Sequence, residues 1–134
     1  MILFNDTEIF TSGCGGKKVF DLPDTELMLY DNFFTKEESD GYYTTLLNNT
    51  PWQEYTMEMY DKTVVVPRMI SWYEDKDNPG ADMDKPDWTP ELLLIKERVE
   101  KETQVEFNCV LLNLYRDGKD GVTWHSDREQ NFGK

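Results

Sequence analysis

The chain has 134 residues, of which 38% are hydrophobic, 13% aromatic and 31% charged, a composition typical of one folded domain and too apolar for disorder. Its formal net charge of −13 argues against nonspecific electrostatic binding to nucleic acid, because such binding needs lysine and arginine to displace counterions from phosphates. The two cysteines, Cys14 and Cys109, lie far apart and in no metal-ligand spacing, so neither a zinc site nor a disulfide framework is indicated.

The first ten residues argue against an ordinary secretory leader. They lack a basic start and include Asp6 and Glu8, which interrupt any apolar core of a signal peptide. No later stretch approaches the length of a membrane span. We therefore expect a cytoplasmic protein with no membrane partner.

Two elements are predicted in the first fifty residues. After the flexible run Gly13–Gly16, residues Glu26–Phe34 have the pattern of a strand that leads into a turn. A helix then begins, because Thr35 and Glu38 have the Thr-x-x-Glu spacing of a capping box. The residues predicted for its buried stripe are Tyr42, Tyr43, Leu46 and Leu47, and those that stop it are Asn48, Asn49 and Pro51.

The middle of the chain predicts a strand, an acidic loop and a second helix. Val64–Tyr73 is β-branched and aromatic, and its Pro67, which has no N–H to donate, indicates a sheet edge or a strand start. The loop over residues 74–87 has six acidic residues against two lysines, so we expect it to be solvated and mobile. Thr89 and Pro90 open a helix that ends near Thr103, with an apolar face of Leu92, Ile95 and Val99.

The strongest predicted strand is Phe107–Tyr115. Its period of two puts Asn113 and Tyr115 on one side, and the apolar content predicts that both faces are largely buried. A turn over Arg116–Gly121 follows, and then a short extended piece, Val122–Asp127.

His125 and Asp127 are candidate metal ligands. Residues two apart in an extended segment share a face, so an imidazole nitrogen and a carboxylate oxygen would lie side by side. Non-haem iron(II) oxygenases use two histidines and one carboxylate, which leaves positions open for a cosubstrate and O2. The spacing alone also fits an exposed histidine that is hydrogen-bonded to its neighbour's carboxylate.

The segment Phe107–Asp127 resembles the core of the AlkB family of iron(II)- and 2-oxoglutarate-dependent dioxygenases, in which Asn-x-Tyr on one strand precedes His-x-Asp after a Gly/Asp turn. The resemblance extends over nearly the whole chain. Its further motifs are Leu22-Pro23-Asp24, Asn32-Phe33-Phe34, Pro67-Arg68, Trp72-Tyr73 and Trp88-Thr89-Pro90-Glu91-Leu92.

The resemblance implies a role for each candidate site residue. His125 and Asp127 would ligate iron(II), and Asn113 and Tyr115 would hydrogen-bond 2-oxoglutarate. Tyr73 would stack near a flipped base, although it could simply pack on a strand face. Glu129 would contact the nucleotide, although it could be one more surface acid. For Asn113 and Tyr115 the alternatives are a strand-end turn former and an ordinary core aromatic.

The implied fold is α+β: the N-terminal part of a double-stranded β-helix (jelly roll) with two flanking helices, forming one incomplete domain over residues 1–134. With a single histidine in the sequence, the chain cannot supply two histidines and one carboxylate by itself. We therefore expect the site to need a complementing C-terminal segment or a second chain. Arg128 and Glu74 also stand where the family commonly has an acid and a glycine.

The function that the resemblance implies is oxidative demethylation of alkylated bases in DNA or RNA, typically 1-methyladenine and 3-methylcytosine. The net charge of −13 keeps a second hypothesis open, the same chemistry on a protein or a small molecule. The third is a noncatalytic domain that has lost the metal site.

Overall fold

The computed structural model of the protein describes residues 16–59 and 61–125. The chain divides into two compact units, Met1–Asn48 and Asn49–Lys134. Within the described residues the first unit contains a β-hairpin and a helix, and the second contains a three-stranded sheet and a helix. These elements agree with the α+β class, while the complete jelly roll and the single domain over residues 1–134 stay predictions.

The first unit begins with an antiparallel hairpin of β1 (Lys17–Leu22) and β2 (Thr25–Tyr30), which pair from Lys17↔Tyr30 to Leu22↔Thr25. Asp24 has φ 55°, a left-handed conformation that aspartate tolerates in a tight turn. Strand β2 confirms the predicted strand but ends at Tyr30, before the Asn32 turn residue with φ 52°. The sequence did not indicate β1.

Helix α1 (Lys36–Asn49) follows the predicted capping box. The Glu38 N–H donates to Thr35 Oγ1 at 3.1 Å, and the Thr35 N–H donates to Glu38 Oε2 at 2.8 Å, so each residue satisfies the other's backbone donor. The predicted stripe was wrong for Tyr43, which is 65% exposed. Phe34 contacts Tyr42 edge to face, with ring centroids 5.3 Å apart, and this contact centres the half-buried side of the helix on Tyr42 and its i+4 neighbour, Leu46.

The second unit is built on an antiparallel sheet of order β3–β4–β5, with β3 over Gln53–Met59, β4 over Lys62–Glu74 and β5 over Cys109–Leu114. Strand β3 was not predicted, because glutamates at positions 54 and 58 lower its intrinsic strand preference. Pairing with β4 overrides that preference. The long β4 is therefore the central strand.

Pro67 lies inside this central strand, so its prediction as an edge or start residue was wrong. Between the pairs Glu54↔Met69 and Thr56↔Val65 the register shifts, which leaves Pro67 in a bulge with no β3 partner. A bulge tolerates proline because no ladder hydrogen bond needs its missing N–H. The Pro67 carbonyl instead accepts a hydrogen bond from the Gly121 N–H at 2.9 Å.

Helix α2 (Pro90–Thr103) forms as predicted. Thr89 Oγ1 accepts from the Leu92 N–H at 3.3 Å, Pro90 is the first helical residue, and Gln104 ends the helix with φ 57°. Leu92 is only 4% exposed, and the other two residues of the predicted face, Ile95 and Val99, are half-buried. The apolar face is confirmed.

The two faces of β5 differ, so the prediction that both are buried was wrong. Val110 and Leu112 lie opposite Tyr73 and Ser71 of β4, which are 1% and 5% exposed, and this side forms the core of the unit. On the other face of the sheet, Asn113 is paired with Ile70 and is exposed. We call this side the open face; its sheet residues are Arg68, Ile70, Trp72, Glu74, Cys109, Leu111 and Asn113.

The acidic loop over residues 75–87 is more internally bonded than its composition predicts. Lys76 Nζ donates to the backbone carbonyls of Asp82 at 3.3 Å, Met83 at 3.2 Å and Lys85 at 2.5 Å. The Asp82 N–H donates to Glu74 Oε1 at 3.0 Å, which ties the loop to the end of β4. One lysine therefore organises a segment whose carboxylates would otherwise repel one another.

The predicted turn over Arg116–Gly121 is present, but the extended piece after it is not a strand among residues 122–125. Its remaining residues, including Asp127, lie outside the described residues. In the part of the chain that the structure describes, neither helix is long and apolar enough to cross a membrane.

Candidate metal and cosubstrate site

Asn113 is held on the open face by Arg68. The Arg68 Nε–H donates to Asn113 Oδ1 at 2.8 Å. A guanidinium donates only and an amide oxygen accepts only, so this bond assigns the amide orientation and leaves the Nδ2 hydrogens for other partners. Within the described residues Nδ2 makes no hydrogen bond. Asn113 thus offers an N–H donor to an anionic ligand.

Tyr115 follows β5 by one residue and is 47% exposed. Its spacing of two from Asn113 is that of residues that share a face in an extended chain. A phenol donates one hydrogen bond, so an amide and a phenol at this spacing fit a carboxylate ligand. This is the donor set that 2-oxoglutarate would need from the strand.

His125 is exposed, and its Nδ1 lies 2.8 Å from the Thr123 carbonyl oxygen. A carbonyl oxygen cannot donate, so Nδ1 carries the hydrogen of this bond, and in the tautomer protonated at Nδ1 the atom that can coordinate a metal is Nε2. Histidines that bind metals commonly donate their second ring nitrogen to a backbone carbonyl in this way, which fixes the tautomer. The chemistry of His125 therefore fits an iron ligand that coordinates through Nε2.

The turn between Asn113 and His125 is closed by an arginine–aspartate pair. Arg116 donates to Asp120 from Nε at 2.7 Å and from Nη2 at 2.9 Å, and its backbone N–H donates to the same carboxylate at 2.9 Å. These hydrogen bonds from Arg116 lower the pKa of Asp120 to about 2, and the pairing raises the pKa of Arg116. Together with the Gly121–Pro67 bond, the pair fixes where the His125 segment begins.

The remaining predicted site residues are Tyr73, Asp127 and Glu129. Tyr73 is 1% exposed and lies on the core side of the sheet, opposite Val110, whereas Asn113 lies on the open face. Its hydroxyl has no hydrogen-bond partner within the described residues. Its contact with a base stays a prediction. Asp127 and Glu129 lie outside the described residues, and no group of three metal-binding side chains occurs among the residues that are described.

The sequence did not indicate a role for Arg68 or Trp72, and the structure does. Arg68 belongs to a quoted motif, but its contact with Asn113 needs the pairing of two strands that are 45 residues apart. Trp72 lines a cleft of about 180 Å³ together with Gln53, Ser71 and residues of the acidic loop, including Asp82 and Lys85. The signal in the sequence that could have indicated both residues was the period of two in β4, which puts Arg68 and Trp72 on one face.

A mixed sheet-and-helix unit with an amide and a phenol at the end of β5, followed in the chain by an imidazole whose Nδ1 donates to a backbone carbonyl, is consistent with an iron- and oxo-acid-dependent oxygenase. The family model described as the 2OG-Fe(II) oxygenase superfamily matches residues 26–134, and the chain belongs to this superfamily. The cofactors of the superfamily are iron(II) and 2-oxoglutarate.

The chain is similar to AlkB-type members of this superfamily. It is 34% identical over 113 residues to alpha-ketoglutarate-dependent dioxygenase alkB homolog 3 of Bos taurus and equally so to that of Homo sapiens, covering 82% of this chain and 40% of each relative. It is 29% identical over 110 residues to DNA oxidative demethylase ALKBH2 of Bos taurus, covering 77% of this chain and 40% of that protein. The chain therefore spans about two fifths of the length of these relatives.

Proposed function

We propose that the protein is an iron(II)- and 2-oxoglutarate-dependent oxygenase that oxidatively demethylates alkylated nucleic-acid bases. The observation that carries the chemistry is Asn113, whose amide presents its N–H donors on the open face, two residues before Tyr115. The substrate class rests on the similarity to alkB homolog 3 and to a DNA oxidative demethylase.

Each candidate residue has a distinct task in this proposal. His125 Nε2 and the Asp127 carboxylate would hold iron(II), while Asn113 Nδ2 and the Tyr115 hydroxyl would donate to the cosubstrate. Iron(II), when bound, supplies the activation of O2 that is coupled to oxidation of 2-oxoglutarate. The protein orients the ligands and limits the access of water to the site.

A second histidine is required for a set of two histidines and one carboxylate, and the sequence has only one. We propose that a further segment or a second chain supplies it. The same source would cover the open face, whose Leu111 is 39% exposed.

The substrate proposal extends to Tyr73 and Glu129 as base contacts and to alkylated DNA or RNA as the partner. The net charge of −13 favours a second candidate, the same chemistry on a protein or a small molecule, because a polyanion is repelled by an acidic surface. We place the protein in the cytoplasm on the sequence evidence alone.

The metal assignment is tested with full-length protein under anaerobic conditions. Iron(II) with 2-oxoglutarate should give a visible charge-transfer band that His125→Ala abolishes. A band of full intensity in His125→Ala would remove that residue from the metal site.

The substrate assignment needs a separate assay. Succinate release should rise when an oligonucleotide that contains 1-methyladenine is added, and the unmethylated oligonucleotide is the control. Equal release with both oligonucleotides would favour the protein or small-molecule candidate.

A further inference from the structure

The open face carries one cation, Arg68, that has no acidic partner within the described residues. The chain as a whole has 27 acidic residues and 14 basic ones. Arg68 is half-buried, and its described side-chain hydrogen bond is the one from Nε to Asn113 Oδ1 at 2.8 Å. No carboxylate among the described residues therefore offsets the positive charge of this guanidinium.

The bulge in β4 brings Arg68 to this position. The register shift between Glu54↔Met69 and Thr56↔Val65 leaves Arg68, like Pro67, without a β3 partner. Along its other edge β4 pairs with β5, and there Ile70 pairs with Asn113. Arg68 is therefore the diagonal neighbour of Asn113 across the β4–β5 pair. Long side chains at diagonal positions are within reach of each other.

The bond matters because a free asparagine amide has two nearly equivalent orientations. The torsion that swaps its oxygen and nitrogen is broad and roughly two-fold. One orientation presents N–H donors to a ligand, and the other presents an oxygen lone pair, which an anion would meet unfavourably. A guanidinium at the oxygen removes the second orientation.

We propose that Arg68 is a positioning residue for the cosubstrate: by holding Asn113 Oδ1, it keeps the Asn113 Nδ2 donor directed at a 2-oxoglutarate carboxylate. This inference rests on the proposed function. It predicts that Arg68 acts on cosubstrate binding through Asn113, and that its contribution vanishes when the amide is absent.

A double-mutant cycle tests the coupling. Full-length protein is loaded with manganese(II), which avoids turnover, and 2-oxoglutarate binding is measured by titration calorimetry. Arg68→Met should weaken binding about tenfold, as loss of an oriented hydrogen bond to a charged ligand does. In the Asn113→Ala background the same substitution should change binding less than about twofold.

Lys62→Met is the matched control, since it removes one positive charge from the start of the same strand at an exposed position. It should leave 2-oxoglutarate affinity unchanged. Thermal unfolding of each variant separates a folding defect from a binding defect. If Arg68→Met does not fold, Arg68→Gln takes its place in the same cycle.

The outcomes distinguish this inference from the proposed function. If Asn113→Ala leaves 2-oxoglutarate binding unchanged, the proposed cosubstrate site is wrong and the inference fails with it. If Asn113→Ala weakens binding but Arg68→Met does not, the inference alone is overturned. It is also overturned if Arg68→Met weakens 2-oxoglutarate binding equally in the wild-type and Asn113→Ala backgrounds. A loss of affinity no larger than that of Lys62→Met would overturn it as well.

Discussion

The Arg116 guanidinium donates two parallel hydrogen bonds, of 2.7 Å and 2.9 Å, to the Asp120 carboxylate across the turn that joins β5 to His125. The backbone N–H of Arg116 adds a third bond to the same carboxylate at 2.9 Å. The Asp120 side chain is only 7% exposed. The ion pair closes the turn that precedes the predicted metal ligand, His125, in the chain.

Removing the Asp120 charge should destabilise the protein in a pH-dependent way. Pairing with Arg116 lowers the pKa of Asp120 to about 2 from 3.8. A depressed folded-state pKa contributes stability above the unfolded-state pKa and loses it as the pH falls towards the folded value. The difference in stability between wild type and Asp120→Asn should be full above about pH 5 and should shrink between about pH 4 and pH 2.

Thermal unfolding at a series of pH values measures this difference. Asp87→Asn is the control, since Asp87 is exposed in the acidic loop. An Asp120→Asn difference that stays constant down to pH 2 would contradict the ionic origin of the effect.

Loss of the Thr35–Glu38 capping box should destabilise helix α1. Thr35→Ala deletes the acceptor of the Glu38 N–H and should lower the free energy of unfolding by about 1 kcal/mol. Thr35→Ser keeps the hydroxyl and should retain most of the stability. Urea unfolding followed by circular dichroism checks both variants, and equal losses in the two would show that the hydroxyl is not responsible.

Two adjacent leucines of α2 should respond differently to truncation. Leu92 is 4% exposed and Leu93 is 48% exposed. Leu92→Ala leaves a cavity and should cost about 2–5 kcal/mol, whereas Leu93→Ala should cost under about 1 kcal/mol. Chemical denaturation of the pair measures the contrast. Similar losses would mean that Leu92 is not a core residue.

Lys76 should control the shape of the acidic loop. Lys76→Met leaves the carbonyls of Asp82, Met83 and Lys85 without their shared donor. Local opening should then rise about tenfold or more, as expected for loss of the charge-assisted hydrogen bonds from one ammonium group. Hydrogen exchange of residues 81–86 measures the opening. Lys85→Met, which removes only a 3.9 Å ion pair to Asp82, should change it much less.

Features that depend on near neighbours were predicted well. The Thr35–Glu38 capping box, the Thr89 cap and Pro90 start of α2, and the Arg116–Gly121 turn are all present. Each is a contact between residues within five positions of one another. Such contacts form whatever the rest of the chain does, so their sequence spacing is sufficient to predict them.

Features that depend on strand pairing were predicted poorly. The sequence indicated Pro67 as a residue at a sheet edge or a strand start, and it left open whether Tyr73 contacts a base or packs on a strand face. The structure buries Tyr73 on the core side and accommodates Pro67 in a bulge of the central strand. In both cases the deciding factor is the register, since a shift of one residue exchanges the two faces of a strand.

By itself the sequence determined the helix boundaries, the alternation of β5 and the family motif around Asn113, Tyr115 and His125, because these are patterns of neighbours along one segment. Only the tertiary structure decided which side of β5 is open and that Arg68 reaches Asn113 across 45 residues of sequence. The physical reason is that side-chain direction follows from local backbone geometry, whereas a partner from a distant strand is selected by sheet register.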